Sequence, residues 1–106
     1  MILVNIYAPN DANQQVTFFK ELENQLEDFA QENMIIAADF NCALSENEKK
    51  GGNPVWKKSI VFKEVQHLAN LYNFTDIWRD RNPNDTRFTW RNKSLKLQCR
   101  LDFLLI

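Results

Sequence analysis

Little in this 106-residue sequence can bend or cross-link the chain: it holds two glycines, three prolines, two cysteines and one histidine. Two cysteines, Cys42 and Cys99, are too few for the disulfide scaffold of a small secreted domain, so they are expected as reduced thiols in an intracellular protein. No apolar run approaches the roughly 20 residues of a membrane-spanning helix, and no leader pattern opens the chain, so no membrane partner is expected. With 44% hydrophobic and 25% charged residues, disordered, collagen-like and low-complexity classes are excluded. Positive charge is nearly missing from residues 1–48, which carry one Lys against nine acidic residues. Residues 49–78 are +3 and residues 79–106 are +4, which brings the chain to a net −1. An acidic first half and a basic end suit a polyanionic partner or metal chemistry, and equally suit two solvated faces.

The length fits one domain. Residues 1–8 (MILVNIYA) read as a strand closed by Pro9-Asn10. Asn13 is placed to cap a helix whose apolar stripe is Phe19, Leu22, Leu26 and Phe29. Residues 34–38 (MIIAA) read as a strand buried on both faces, which completes a βαβ unit with a parallel pair. Residues 45–58, holding Gly51-Gly52-Asn53-Pro54, read as a polar, flexible loop. Ser59 is expected to cap a second helix with Val61, Val65, Leu68 and Tyr72 inward and His67 beside that stripe. A turn at Asn82-Pro83-Asn84-Asp85, a strand at 86–90 (TRFTW) and a strand at 98–106 (QCRLDFLLI) follow. Both ends of the chain lie in apolar strands, which reads as a piece of something longer.

Open α/β sheets place ligands beyond the carboxyl ends of their strands. Two polar clusters are expected there: Asn5 to Asn10 after the first strand and Asp39-Phe40-Asn41 after the second. Residues two apart on a strand share a face, so Asp39 and Asn41 should point together, with Tyr7 offering a phenol from the neighbouring strand. A carboxylate and a carboxamide side by side can hold an attacking water and a phosphate oxygen. Asp102 interrupts the last apolar strand and, if buried, needs a partner. Each of these also has a plain structural reading: Asp39 in a turn, Asn41 on its own backbone, Tyr7 in the core, Asp102 against a surface Lys.

The ordered set NIYAPN, DFN, a WR/NP/T-W stretch and RLDF resembles the endonuclease/exonuclease/phosphatase superfamily. Within it, the set is similar to the apurinic-like endonuclease domain of non-LTR, long-interspersed-element retrotransposons, along nearly the whole chain. The resemblance implies an α/β fold, part of a four-layered αββα sandwich, with residues 1–106 forming one partial domain incomplete at both ends. It implies Mg²⁺- or Mn²⁺-dependent phosphodiester cleavage with DNA as partner. A reverse transcriptase in the parent polyprotein and a nuclear place of action would go with it. By that resemblance Tyr7 bonds the scissile phosphate, Asn10 shapes the site and Asp39 orients or deprotonates the water. Asn41 stabilises the phosphate, Thr89 lies in the DNA-contacting region, and Asp102 orients a catalytic histidine. Arg100 joins the substrate side as part of the basic stretch.

The sequence departs from the family pattern at Ala38, where the family has glycine. The family's metal-binding glutamate lies upstream of NIYAPN and its Ser-Asp-His downstream of RLDF; neither is among these residues, and no metal ligand is assigned here. The chain alone is therefore expected to be inactive. The alternatives are a decayed remnant with weak nucleic-acid binding, or the same fold acting on a phosphoinositide or sphingomyelin-type ester. Arg79, Arg81, Arg87, Arg91, Lys93 and Lys96, interleaved with Trp78, Phe88 and Trp90, favour DNA. Arg91 to Ser94 reads as a hairpin tip suited to a groove.

Overall fold

The computed structural model describes residues 1–41, 48–51, 60–94 and 96–106. The expectations for Cys42, Gly52-Asn53-Pro54 and Ser59 lie outside the described residues. In chain order the elements are β1 (Ile2–Tyr7), α1 (Ala12–Glu27), β2 (Met34–Asp39), β3 (Lys49–Lys50) and α2 (Ile60–Leu71). There follow α3 (Ile77–Arg81), β4 (Trp90–Arg91), β5 (Gln98–Cys99) and β6 (Asp102–Leu105). Helices and strands are thus mixed, in an α/β arrangement with two small sheets.

The first sheet has the order β1-β2-β6. β1 and β2 run parallel, from Ile2 opposite Met34 to Tyr7 opposite Asp39. α1 makes the connection between them, as the βαβ reading required. Its N-cap is Asp11, not Asn13: the Asp11 carboxylate accepts from the backbone N–H of Asn13 (3.0 Å) and Gln14 (3.1 Å). β6 lies antiparallel on the other side of β2, from Ile36 opposite Leu105 to Asp39 opposite Asp102.

Side-chain alternation gives this sheet one packed face. Ile6, Ala8, Met34, Ile36, Ala38, Phe40, Phe103 and Leu105 are buried there together with Phe19, Leu22 and Leu26 of α1 and Val61, Val65 and Leu68 of α2. The Phe40 ring lies 5.4 Å from the rings of both Phe19 and Phe103. Burying such a side chain stabilises by about 1.5–3 kcal/mol. The opposite face is open: Leu3, Tyr7, Leu104 and Ile106 are exposed. β2 is therefore not buried on both faces; Ile35, Ala37 and Asp39 are only partly covered because no described element packs on their side. Phe29 and Tyr72 fall beyond the helix ends. Phe29 is exposed, while Tyr72 is half-buried and donates its hydroxyl to the Glu23 carbonyl (2.8 Å).

The second sheet, β3-β5-β4, is short. β4 and β5 form the arms of a hairpin, in which the Asn92 side chain accepts from the Leu97 N–H (3.2 Å). Two strand expectations are corrected. Of residues 86–90 only Trp90 is in a strand. The run 98–106 breaks at Arg100-Leu101 into β5 and β6, which belong to different sheets. The cause is Arg100, which turns inward. Its guanidinium donates to the Glu48 carboxylate (Nε 2.6 Å, Nη2 2.8 Å) and to Asp76, and lies over the Trp78 and Phe103 rings.

Candidate functional site

The register of the first sheet puts Tyr7, Asp39 and Asp102 in one row across three strands, on the open face. The row sits at the carboxyl ends of β1 and β2 and at the start of β6. Tyr7 is 74% exposed, Asp39 is half-buried and Asp102 is exposed. Burial, the condition under which Asp102 would need a partner, is not met among the described residues: its side chain is exposed. Two carboxylates directly opposite one another are mildly destabilising in an antiparallel pair. The sheet carries that pair, Asp39 and Asp102, at the edge where its two parallel strands end.

Asn41 reaches the row by a route that strand alternation does not describe. β2 ends at Asp39, and Asn41 has a left-handed backbone (φ 52°), a conformation that Asn adopts more readily than most residues. Its N–H donates to Asp39 Oδ1 (2.9 Å), a local side-chain turn. Its side-chain amide donates to the Ala8 carbonyl. One amide N–H thus ties the 39–41 loop to the 8–10 loop, and the turn reading of Asp39 holds beside any chemical one. Across the same two loops the Ala8 N–H donates to the Asp39 carbonyl (2.9 Å).

A residue that the sequence reading missed completes the tie. Gln15 of α1 is 4% exposed, and its amide donates to the carbonyls of Pro9 (2.7 Å), Asn41 (3.2 Å) and Asn10 (3.4 Å). It therefore holds both loops from beneath. The sequence carries a signal for it: Gln15 stands four residues before Phe19 on the apolar stripe, where a polar side chain needs a buried partner.

Thr89 approaches from the hairpin side. Its hydroxyl oxygen accepts from the backbone N–H of Leu101 (3.0 Å) and Asp102 (3.3 Å), so it fixes the start of β6. Tyr7, Asp39, Asn41, Asp102 and Thr89 are thereby brought to one end of one sheet, with Asn10, exposed, in the adjoining loop. Arg100 is not brought there. It is 3% exposed, inside the ion-pair cluster with Glu48 and Asp76 that Arg79 also joins (Nη2 to Glu48 Oε1, 2.7 Å). Burial alone would raise the Glu48 carboxyl's pKa, but the hydrogen bonds and charges of Arg100 and Arg79 outweigh it and hold the group below the ordinary carboxylate range. Of the basic stretch, Arg79 and Arg100 serve this cluster, whereas Arg81, Arg87, Arg91, Lys93 and Lys96 are exposed. Trp78 is half-buried with the Arg79 and Arg100 guanidinium groups over its ring (4.8 and 4.9 Å to the centroid). His67 is exposed on α2, 3.2 Å from Glu23 and on the helix layer behind the packed face.

The carboxylates of Asp39 and Asp102 are hard oxygen donors of the kind Mg²⁺ accepts, usually one or two at a time with water completing the shell. The chemistry of the donors fits, but their number does not make a centre. Among the described residues no group of three or more His, Cys, Asp or Glu is placed to hold a metal ion. No described helix is long and apolar enough to cross a membrane.

An α/β unit with two acids, a phenol and an amide gathered at one sheet end is thus the class that the geometry defines. No family model matches the chain. Over 89 residues, 83% of its length, it is 29% identical to the Transposon TX1 uncharacterized 149 kDa protein of Xenopus laevis. It spans 7% of that protein's length. The chain is thus distantly similar to part of a transposon-encoded protein.

Proposed function

We propose that this chain is the central-to-C-terminal part of a phosphodiesterase domain of the endonuclease/exonuclease/phosphatase superfamily, of the type that nicks DNA for a non-LTR retrotransposon. What supports the reading is the single row Tyr7-Asp39-Asp102, with Asn41 bonded to Asp39. The similarity to a transposon protein is consistent with the same origin. In the four-layered sandwich, α1, α2 and the first sheet are two of the layers, and the open face of the sheet receives the other two.

In this reading the DNA phosphate lies over the row. The Tyr7 phenol donates to a non-bridging oxygen, and the second amide N–H of Asn41 reaches another. Asp39 accepts a proton of the attacking water and aims it at phosphorus, opposite the departing sugar oxygen. Asp102 orients a histidine that the family carries downstream of RLDF. Mg²⁺ or Mn²⁺, when bound with the family's upstream glutamate, supplies Lewis-acid stabilisation of the phosphate charge. Neither that glutamate nor that histidine is among these 106 residues, so the reading makes the chain alone catalytically silent. The loss of one such donor, as in Tyr7→Phe, costs about 10²-fold in rate in comparable sites.

The test is supercoiled plasmid with Mg²⁺. The 106-residue chain should leave it intact, and the polypeptide extended by its flanking reading frame should nick it. Asp39→Ala in the longer polypeptide should abolish nicking. Robust cutting by the short chain would refute the claim that essential groups lie elsewhere. Undiminished cutting by the Asp39 variant would refute the site, and plasmid binding without any cutting would favour a non-catalytic remnant.

A further inference from the structure

The chain has seven Ser and Thr hydroxyls, and only Ser94 has an arginine three residues ahead of it, Arg91. The run Arg91-Asn92-Lys93-Ser94 leads from β4 into the hairpin turn, which the proposed chemistry does not use. Ser94 is exposed, and its described hydrogen bond is the donation of Oγ to Asn92 Oδ1 (3.2 Å). The arms of the hairpin are two residues each. Its turn is closed by the Asn92 N–H on the Leu97 carbonyl (3.0 Å) and by the return bond from the Leu97 N–H to the Asn92 side chain. The other described hydroxyls are placed differently. Thr17 lies inside α1, Thr75 is paired through both backbone groups with Ile106 (2.8 and 2.9 Å), and Thr89 holds the start of β6. Thr86 is exposed, with Pro83 where the arginine would stand.

We infer that Ser94 is a phosphorylation site for an arginine-directed serine kinase, and that the phosphate switches off the basic face of the hairpin. Such a kinase takes its substrate as an extended segment and meets the upstream arginine with carboxylates, for which a guanidinium is a matching planar fork. Arg91 is exposed, and its described partner is a neutral one, Gln98 Oε1 (2.8 Å from Nε), a surface bond that carboxylates replace at little cost. Drawing out a turn closed by so few bonds is a local opening, far short of unfolding the sheets. In the transfer the Ser94 Oγ bonds to the γ-phosphorus of ATP and the bond from that phosphorus to the β-bridging oxygen breaks. ADP leaves, and the hydroxyl proton passes to the kinase's aspartate. The product carries roughly −1.5 to −2 charges at pH 7. Arg91, Lys93 and Lys96 are all exposed on this hairpin and carry three positive charges, so about half to two-thirds of that charge is cancelled. The bond inside the turn goes too, because the ester oxygen has no proton to give Asn92 Oδ1. The site rests on sequence, exposure and turn geometry; the effect on DNA rests on the phosphodiesterase reading.

The 106-residue chain is incubated with the catalytic subunit of an arginine-directed serine kinase, ATP and Mg²⁺, and peptide mass spectrometry locates the phosphate. A single phosphoryl group should enter, at Ser94. Ser94→Ala should abolish incorporation, and Arg91→Gln should slow it by about tenfold or more. Gln98→Ala removes the described partner of Arg91 but keeps the guanidinium, so the rate should hold. No incorporation, incorporation at another hydroxyl, or a rate indifferent to Arg91→Gln would each overturn the site. The modified and unmodified chains are then titrated with a short DNA duplex. Phosphorylation should weaken binding by roughly tenfold and flatten the slope of log affinity against log salt by about one for each cation neutralised. Equal affinity of the two forms, or none in either, would overturn the switch. The phosphodiesterase reading fails separately: a longer polypeptide that leaves plasmid intact would sink it with the phosphate still entering Ser94.

Discussion

Glu48 is the side chain whose loss the fold should feel most. It is 2% exposed and accepts four N–H groups, from Arg79 (Nε 3.1 Å, Nη2 2.7 Å) and Arg100 (Nε 2.6 Å, Nη2 2.8 Å). Glu48→Ala leaves the buried Arg100 with Asp76 as its remaining carboxylate, and an uncompensated buried charge typically costs about 3–5 kcal/mol. Against a total of roughly 5–15 kcal/mol for a chain of this length, that is at least about a fifth of the stability and, at the low end of the total, most of it. Glu48→Gln keeps one acceptor and should lose less. Glu48→Leu with Arg100→Met removes both charges and should be less damaging than Glu48→Ala alone, because no stranded guanidinium remains at Arg100. Urea unfolding followed by circular dichroism reads all three. The pH dependence has a fixed sign. With its folded pKa held below the ordinary 4.5, Glu48 contributes its full stabilisation above that value and loses it as pH falls through the depressed one. The Glu48→Gln protein should therefore show a flatter stability profile over that acidic window. A Glu48→Ala protein within about 1 kcal/mol of the parent would refute the reasoning, since only a solvated pair is worth so little.

Gln15→Met should cost about 1–3 kcal/mol by leaving carbonyls of two loops unpaired. Its signature is faster hydrogen exchange at the Ala8 and Asn41 amides with Ile36 unchanged. Gly51 has φ 82°, and a Cβ there would lie 1.8 Å from the Lys96 carbonyl oxygen, so Gly51→Ala should lower the melting temperature and cost at least about 2 kcal/mol. Asp102→Asn should act in the opposite direction. Removing one of two facing carboxylates gains about 0.2–1 kcal/mol in denaturant unfolding, while the proposed nicking in the longer polypeptide is lost.

The parts of the fold carried by local periodicity were legible. β1 and β2 follow from their apolar runs and α1 from three-to-four-residue apolar spacing, and the parallel pairing of the two strands follows from joining them; the register that sets Tyr7 opposite Asp39 comes from the structure. What the periodicity did not carry was contact between distant residues. Arg100 meets Glu48 across 52 positions, and that bond, invisible in QCRLDFLLI, divides one apparent strand between two sheets. Asp11 and Asn13 are both good cap residues two positions apart, so the sequence alone does not decide between them. Alternation was carried one step too far at Asn41, because it presumes a strand that β2 does not continue. For Asp102 the sequence left burial open, since apolar residues flank it; Leu104 and Ile106 on its own face are exposed, and so is Asp102.

The position of the acids is nevertheless enforced by the core. Strand side chains alternate, so a slip of one residue in β2 would turn Asp39 toward α1 and α2 and bring Ile35 and Ala37 inward with it. The packed face is filled by Ile36, Ala38, Phe40 and Phe103, whose burial holds the strands to one register. Two side chains then sharpen that register where the strands end. Gln15 binds the loops after β1 and β2 by their carbonyls, and Thr89 binds the start of β6 by its N–H groups. Both act on backbone alone, so neither draws on the polar atoms of Tyr7, Asp39 or Asp102. The row gets its geometry from apolar packing on one side of the sheet and from backbone ties at its end; among its side chains only Asp39 spends an oxygen on the fold, accepting from the Asn41 N–H, and the Tyr7 hydroxyl and the Asp102 carboxylate face outward.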